Sequence, residues 1–112
     1  MKRGEIYFAD LSPTVRSEIN KRRPVLIVSN DANNRASSTI TVLPITSNTE
    51  HVYPFEVKLS AKMSGLPKVS KVLAQQIRTI SRARLSNERM GHLTGESMKA
   101  VERAVKLHLA LK

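Results

Sequence analysis

The spacing of hydrophobic and polar positions predicts a chain of short β-strands followed by one C-terminal helix. The apolar run PVLIV opens a predicted strand at residues 24–29; it is β-branched and does not alternate, which is typical of burial on both faces. Residues 53–59, YPFEVKL, alternate strictly, so we expect this strand to turn Tyr53 and Phe55 into the core. The same criteria predict further strands at residues 4–11, 39–45, 68–80 and 89–93.

Turn formers and breaks in the pattern separate these strands. Pro44 cannot donate a ladder hydrogen bond, so the strand at 39–45 is expected to end or bulge there. A phase slip near residues 74–76 predicts a bulge within 68–80, which is either one long strand or two short ones. Residues 30–38 are rich in turn formers and leave room for one helical turn, and residues 81–85 predict a second helical turn.

The helix begins near Thr94, a plausible N-cap, with Glu96 in the first turn. Its apolar residues spread over an arc of roughly 200°, which is wider than docking on one surface requires. Either one side packs on the sheet and leaves Leu107 and Leu111 for a second subunit, or the helix is sunk in a single core. The pattern predicts a mainly β fold with a C-terminal helix, a small, partly open β-barrel that the helix closes on one side.

The length of 112 residues predicts one domain over residues 1–112, because two halves would be too small to bury adequate cores. The chain has no cysteine, which excludes disulfides, thiol catalysis and cysteine-ligated metals. It has no apolar segment typical of a signal peptide and none that approaches membrane-spanning length. These features fit a cytoplasmic protein that does not enter the membrane.

The charge changes the picture most. Nineteen Lys and Arg against nine Asp and Glu give a net charge of +10. Nucleic acid is the commonest partner of so basic a domain, through phosphate contacts and counterion release. An acidic protein partner is the second possibility, and a solvated basic surface without a specific role is the third.

The candidate chemistry lies where basic residues meet the buried strand. Lys21, Arg22 and Arg23 directly precede Pro24. The rigid edge of a strand aims a charged group better than a free loop does, so this junction is a candidate site for a phosphate.

Five segments of the chain, in this order, closely resemble the MazF/PemK family of bacterial toxins. They are RGEIYFADL at residues 3–11, SE and RRPVLIVSND within 17–31, ITVLPITSN at 40–48, YPFEVKLS at 53–60, and QQIRTIS at 75–81. The resemblance implies an SH3-like barrel of the CcdB/PemK type, a homodimer, and an endoribonuclease that needs no metal or other cofactor. It also implies single-stranded mRNA as substrate and an antitoxin partner, which we expect to carry an acidic, disordered tail.

The resemblance carries catalysis onto Arg23 and Thr46. The implied reaction is attack of a ribose 2′-OH on the adjacent phosphate, which leaves a 2′,3′-cyclic phosphate and a 5′-OH. A guanidinium can grip two phosphate oxygens in the transition state, and a threonine hydroxyl can donate to the same group. Arginine is a poor proton-transfer group because its pKa exceeds about 12, so the general base stays open.

Other residues are candidates for supporting roles. Glu18 is interpreted as a group that orients Arg23, or else as the base, whereas the histidines at 51, 92 and 108 are interpreted as surface or core residues. Ser17, Lys21 and Arg22 are candidate phosphate contacts, and Ser47 adds a hydroxyl beside Thr46. Asn30 and Asn34 either read splayed bases or bond their own backbone as turn residues. Gln76 and Arg78 share a face near the site, with a structural role as the alternative for Arg78.

The first loop of this chain differs from the family pattern, and other functions remain as alternatives. The loop at residues 14–23 lacks the glycines usual in the family, which is expected to alter sequence preference more than activity. Because Tyr53 and Phe55 are assigned to the core, no platform for stacking bases is evident. The alternatives to a ribonuclease are a non-catalytic relative that poisons gyrase, as CcdB does, and a basic RNA-binding module without enzyme activity.

Overall fold

The computed structural model describes residues 1–13, 15, 18 and 21–112. In this part of the chain the strands are β1 Glu5–Asp10, β2 Arg22–Ile27, β3 Thr39–Thr46, β4 Glu56–Leu59, β5 Ser70–Leu73, β6 Arg78–Ser81 and β7 Leu85–His92. The helices are α1 Asp31–Ala36, α2 Ala61–Ser64 and α3 Gly95–Leu109, with 3-10 turns at Ala74–Gln76 and Arg82–Arg84. The prediction of a mainly β fold with a C-terminal helix is confirmed.

The described strands pair antiparallel in one open sheet of order β4-β5-β3-β2-β1-β7, and β6 pairs with β3 outside this path. Strand β3 changes its outer partner along its length. It pairs with β6 up to Val42 and with β5 from Ile45. Pro44 lies in the gap between these two ladders and is buried, so β3 continues through it; the expected end or bulge at Pro44 is wrong.

The core has a cluster of buried residues on each face of the sheet. Strand β2 contributes to both, since Leu26 belongs to one cluster and Val25 and Ile27 belong to the other. Burial on both faces of this strand is therefore confirmed. Helix α3 covers the first cluster with Val101 and Ala104.

The outer side of α3 is exposed in the monomer. Leu107, Leu109 and Leu111 each keep about half of their surface in solvent. The helix is therefore not sunk in a single core, and one apolar side stays uncovered, as the wide apolar arc predicts. Thr94 occupies the N-cap position, but its side chain makes no capping hydrogen bond. No helix of the described chain is long and apolar enough to cross a membrane.

The strand predicted at 53–59 is present but shorter, and the predicted burial of Tyr53 is wrong. The strand β4 begins only at Glu56, and Tyr53 is exposed while Phe55 is half-buried. Glu56 is buried, and its carboxylate accepts hydrogen bonds from the Tyr53 backbone N–H and from Lys71 of β5. These bonds hold residues 53–55 in a turn ahead of the strand. Alternation alone could not anticipate a partner contributed by another strand.

Other boundaries differ in smaller ways. The 68–80 segment is two strands, and the phase slip is the 3-10 turn Ala74–Gln76 rather than a bulge. The helical turn predicted at 81–85 is confirmed, as is helical structure within residues 30–38. Helix α2, which the sequence analysis did not predict, is one turn capped by the Ser60 side chain and ended by Gly65 in the left-handed conformation.

Candidate active site

The register of β2 against β3 brings Arg23 and Thr46 together. Val25 lies opposite Pro44 in this antiparallel pair. Extending the same register by two residues puts Arg23 opposite Thr46, and directly opposed residues point to the same side of a sheet. The fold therefore makes neighbours of two side chains that are 23 positions apart in the sequence.

Arg23 and Thr46 line one cavity of about 200 Å³, and both are half-buried. The Thr46 hydroxyl oxygen accepts a hydrogen bond from the Asn48 backbone N–H at 3.2 Å. A hydroxyl has one O–H donor besides its lone pairs, so Thr46 can still donate to a ligand. The cavity is lined by Phe8, Arg22, Arg23, Pro24, Ile45, Thr46, Ser47, Leu66, Pro67, Lys68, Ser70 and Met90.

The cavity also contains basic and aromatic groups. The Arg22 guanidinium carbon lies 5.3 Å from the centre of the Phe8 ring, within the range of a cation–π contact. Lys68, which the sequence analysis did not single out, adds another cation to the lining and is exposed. Together with Arg23, these groups make a cavity suited to phosphate oxygens.

Thr46 also lines a second cavity, of about 290 Å³, on its other side. Here Lys71 Nζ donates to Glu56 Oε1 at 2.8 Å, and Gln75 Nε2 donates to Glu56 Oε2 at 2.5 Å. Burial acts to raise the pKa of Glu56, but the hydrogen bonds from Lys71, the Tyr53 backbone and Gln75 together hold that pKa below its ordinary value. The buried carboxylate is therefore charged at neutral pH.

Gln76 and Arg78 lie at the edge of this region. Both line a small cavity of about 170 Å³ together with Glu18, and Gln76 also lines the cavity of Glu56 and Lys71. Arg78 Nη1 donates to the Leu11 carbonyl at 3.2 Å, which supports the structural alternative for this residue. The Glu18 carboxylate accepts from the Val15 backbone N–H at 2.6 Å.

Asn30 is the N-cap of α1 and Asn34 lies within this helix, and neither lines the cavity of Arg23. The Asn30 side chain caps α1 by accepting from the Asn33 backbone N–H. Asn34 is buried, and its side chain exchanges hydrogen bonds with the hydroxyl and the carbonyl of Ser29. These bonds favour the turn role that the sequence analysis left open over the reading of bases.

Two further predicted residues, Lys21 and Ser17, precede β2 in the sequence. Lys21 is exposed and has positive φ (67°), and its backbone N–H donates to the Ser12 hydroxyl. Ser17 lies outside the described residues. Among the described residues, no group of three or more His, Asp and Glu side chains is arranged to hold a metal ion.

Sequence comparison identifies close relatives over the whole chain. The family model for PemK-like, MazF-like toxins of type II toxin–antitoxin systems matches residues 2–109. The endoribonuclease EndoA of Bacillus subtilis is 44% identical over 112 residues, covering 99% of this chain and 96% of that protein. The endoribonuclease MazF9 of Mycobacterium tuberculosis is 43% identical over 116 residues, covering 99% of this chain and 98% of that protein.

Solved structures share the fold as well. MazF from Deinococcus radiodurans superposes with a TM-score of 0.85 at 26% identity, covering 99% of this chain and 97% of that one. A mycobacterial endoribonuclease in complex with its cognate antitoxin superposes with a TM-score of 0.81 at 27% identity, covering 100% of this chain and 97% of that one. The chain therefore belongs to the family of PemK-like, MazF-like toxins of type II toxin–antitoxin systems.

Proposed function

We propose that this chain is an endoribonuclease toxin that cuts single-stranded mRNA at the cavity shared by Arg23 and Thr46. The observation that carries the proposal is that both side chains line one cavity, which also contains Lys68 and Arg22. The endoribonuclease relatives, at 43–44% identity over nearly the whole chain, support the reaction class.

The proposed chemistry follows from these groups. The ribose 2′-OH gives up its proton as its oxygen attacks the adjacent phosphorus, the bond to the 5′-oxygen of the next nucleotide breaks, and that oxygen takes up a proton and leaves as a 5′-OH. Arg23 binds the phosphate oxygens on which charge develops, and Thr46 donates a hydrogen bond to the same group. Glu18 is proposed to orient Arg23, and no metal ion is required.

The proposed partners follow from the family and from the surface. An antitoxin with an acidic, disordered tail suits a chain of net charge +10, and a solved mycobacterial relative is in complex with its cognate antitoxin. The exposed leucines of α3 support a homodimer formed through that side of the helix. The proposed compartment is the cytoplasm, where mRNA is present.

Substitution of the two catalytic residues tests this function. Arg23→Ala and Thr46→Ala should each lower the cleavage rate by about 100- to 1,000-fold, because each removes a donor to the transition state. Thr46→Ser keeps the hydroxyl and should retain most activity. Arg35→Ala is the control for charge, since Arg35 is exposed on α1 and does not line the cavity.

The assay is incubation of purified protein with a long single-stranded RNA in EDTA, with the product ends identified by mass spectrometry. Discrete cuts with cyclic-phosphate and 5′-OH ends are expected. Full cleavage by folded Arg23→Ala protein would refute the assignment of Arg23. Intact RNA with inhibited gyrase would favour the CcdB-like alternative, and shifted but intact RNA would favour a binding module.

A further inference from the structure

Three consecutive main-chain carbonyls at the end of β1 accept hydrogen bonds from arginines of distant elements. Arg84, in the 3-10 turn after β6, donates through Nη1 to the Asp10 carbonyl at 3.0 Å and to the Ser12 carbonyl at 2.7 Å. Arg78, at the start of β6, donates to the carbonyl of Leu11 between them at 3.2 Å. The segment that leads out of β1 into the first loop is therefore held by residues from outside its own hairpin.

The same segment is bonded to the residues that enter β2. Ala9 lies opposite Arg23 in the antiparallel register of β1 and β2. The Leu11 N–H donates to the Lys21 carbonyl at 3.0 Å, and the Lys21 N–H donates to the Ser12 hydroxyl at 3.1 Å. Because these bonds join the two stems of the first loop, fixing the first stem also fixes the second, from which Arg23 extends into its cavity.

Arg84 acts on this stem without meeting the substrate cavity. Its side chain is half-buried, and in the described part of the chain it pairs with no carboxylate. Hydrogen bonds from an ionised donor are stronger than those between neutral groups, so the two carbonyls are firmly held. Arg84 does not line the cavity of Arg23. A change at Arg84 can therefore reach that cavity through the loop stem rather than by contact with RNA in it.

We propose that Arg84 is a positioning residue of the ribonuclease, which clamps the Asp10 and Ser12 carbonyls and thereby fixes the direction in which Arg23 presents its guanidinium to the phosphate. The inference deepens the proposed function and rests on it. Placement matters because a displacement of about 1 Å at a reacting centre can cost about 100-fold in rate.

Arg82, two residues earlier in the same 3-10 turn, is a matched control. Its side chain is also half-buried, and its Nη1 donates to the carbonyls of Asn34 and Ser37 at 2.7 and 3.5 Å. These carbonyls belong to α1 and its C-cap and not to the stem of the first loop. Arg82→Ala and Arg84→Ala should therefore lower the thermal midpoint by similar amounts, whereas only Arg84→Ala releases the loop stem.

Cleavage kinetics on a single-stranded RNA separates placement from binding. Arg84→Ala should lower kcat by about 10- to 100-fold, because Arg23 is no longer held in line with the phosphate. KM and the affinity for RNA blocked by 2′-O-methyl groups should stay unchanged, since the lost interaction is one made in the transition state. Arg82→Ala should keep the wild-type kcat. Arg84→Lys retains a cation that can donate to both carbonyls and should recover part of kcat.

A double-mutant cycle tests whether Arg84 acts through Arg23. In the Arg23→Ala background, Arg84→Ala should lower the single-turnover rate no further, because no guanidinium is left to place. A full further loss in that background would show that the two residues act independently and would refute the proposal. Equal losses of kcat in Arg82→Ala and Arg84→Ala would refute it too, as would weaker binding of the blocked RNA that accounts for the whole loss.

An NMR measurement keeps this inference separate from the parent function. The side-chain Nε–H resonance of Arg23, assigned by its loss in Arg23→Ala, should shift or broaden in Arg84→Ala and stay in place in Arg82→Ala. If the wild type cuts no RNA, the ribonuclease proposal fails, and an unchanged Arg23 resonance in folded Arg84→Ala protein would refute the positioning role as well. If the alanine variant does not fold, Arg84→Lys replaces it, and a kcat and an Arg23 resonance equal to those of the wild type would then refute the clamp.

Discussion

At the scale of single residues, the ion pair of Glu56 and Lys71 has a cost and a benefit that can be measured. The pair is 2.8 Å long, and the Glu56 and Lys71 side chains are only 3% and 11% exposed. Desolvating two charges offsets most of their attraction, so such a pair adds little net stability compared with apolar residues. Removing one partner is different, because the other charge is left buried without compensation.

Lys71→Met should therefore lower the free energy of unfolding by about 3 kcal/mol at neutral pH. The loss should shrink as the pH falls. The hydrogen bonds to Glu56 hold its pKa below the ordinary value of 4.5, so its contribution is present above that value and is lost as pH falls through the folded pKa. Urea unfolding of both proteins from about pH 7 to about pH 3 measures the difference.

The double variant Lys71→Met/Glu56→Leu is the control for that experiment. It removes both charges and should recover most of the lost stability. The pKa of Glu5 is also held below its ordinary value. Because Glu5 is present in every variant, its contribution to the pH dependence of stability cancels in the comparison. A loss from Lys71→Met that stays constant across this pH range would mean that the ion pair is not its source.

The sequence predicted Arg23 and Thr46 as partners because motif and residue chemistry point to these two positions, and both line one cavity; their catalytic role stays a prediction. It failed at Tyr53, where strict alternation predicted burial but the ring is exposed. The reason is physical: the Glu56 carboxylate is held inside by Lys71 and Gln75, which come from a distant part of the chain. A local pattern carries no information about such partners.

At the scale of elements, the best predictions rest on patterns that survive any tertiary context. The PVLIV run of β2 and the long periodicity of α3 are of this kind, and both elements are present. One short element, α2, was missed. Helix α2 depends on the Ser60 cap and on Gly65 at φ 78°, signals that also fit a plain turn.

Helix α2 and strand β7 approach each other so closely that only glycine fits at position 91. A Cβ at Gly91 would lie 1.9 Å from the Ser64 carbonyl oxygen, a backbone atom that cannot rotate away. Gly91→Ala should therefore force the two elements apart and cost about 3 kcal/mol, the upper end of the usual cost of overpacking. Denaturant unfolding measures this loss.

Gly95→Ala is the matched control at the start of α3. Its Cβ would meet no atom within 4 Å, although φ is +53°. Gly95→Ala should therefore cost only the penalty for alanine in the left-handed conformation, which lowers the free energy of unfolding by about 1 kcal/mol. Equal losses from the two substitutions would contradict the close contact of Ser64 and Gly91. Because Met90 lines the Arg23 cavity, cleavage should fall in Gly91→Ala and not in Gly95→Ala.

At the scale of the whole molecule, part of the positive charge lies around two neighbouring cavities. Arg22, Arg23 and Lys68 line the cavity of Thr46, and Arg89 lines an adjoining cavity of about 420 Å³ with Arg22 and Phe8. The composition predicted a nucleic-acid partner but could not identify this arrangement, since a basic total does not specify where the charges meet. The register of β2 and β3 does that.

This arrangement predicts how salt weakens RNA binding. Each phosphate neutralised on a single strand releases counterions. The logarithm of the RNA-binding constant therefore falls with the logarithm of the salt concentration, with a slope that steepens by about 0.7 per phosphate contact. Lys68→Ala should make the slope shallower by that amount and weaken binding to all sequences alike. Lys99→Ala should leave it unchanged, because Lys99 is exposed on α3 beside Glu96 and does not line the cavity. Titration of wild-type and variant protein with RNA carrying 2′-O-methyl groups, which block the proposed attack, measures the slope without cleavage. Equal slopes for Lys68→Ala and Lys99→Ala would mean that the bound strand does not pass over this cavity.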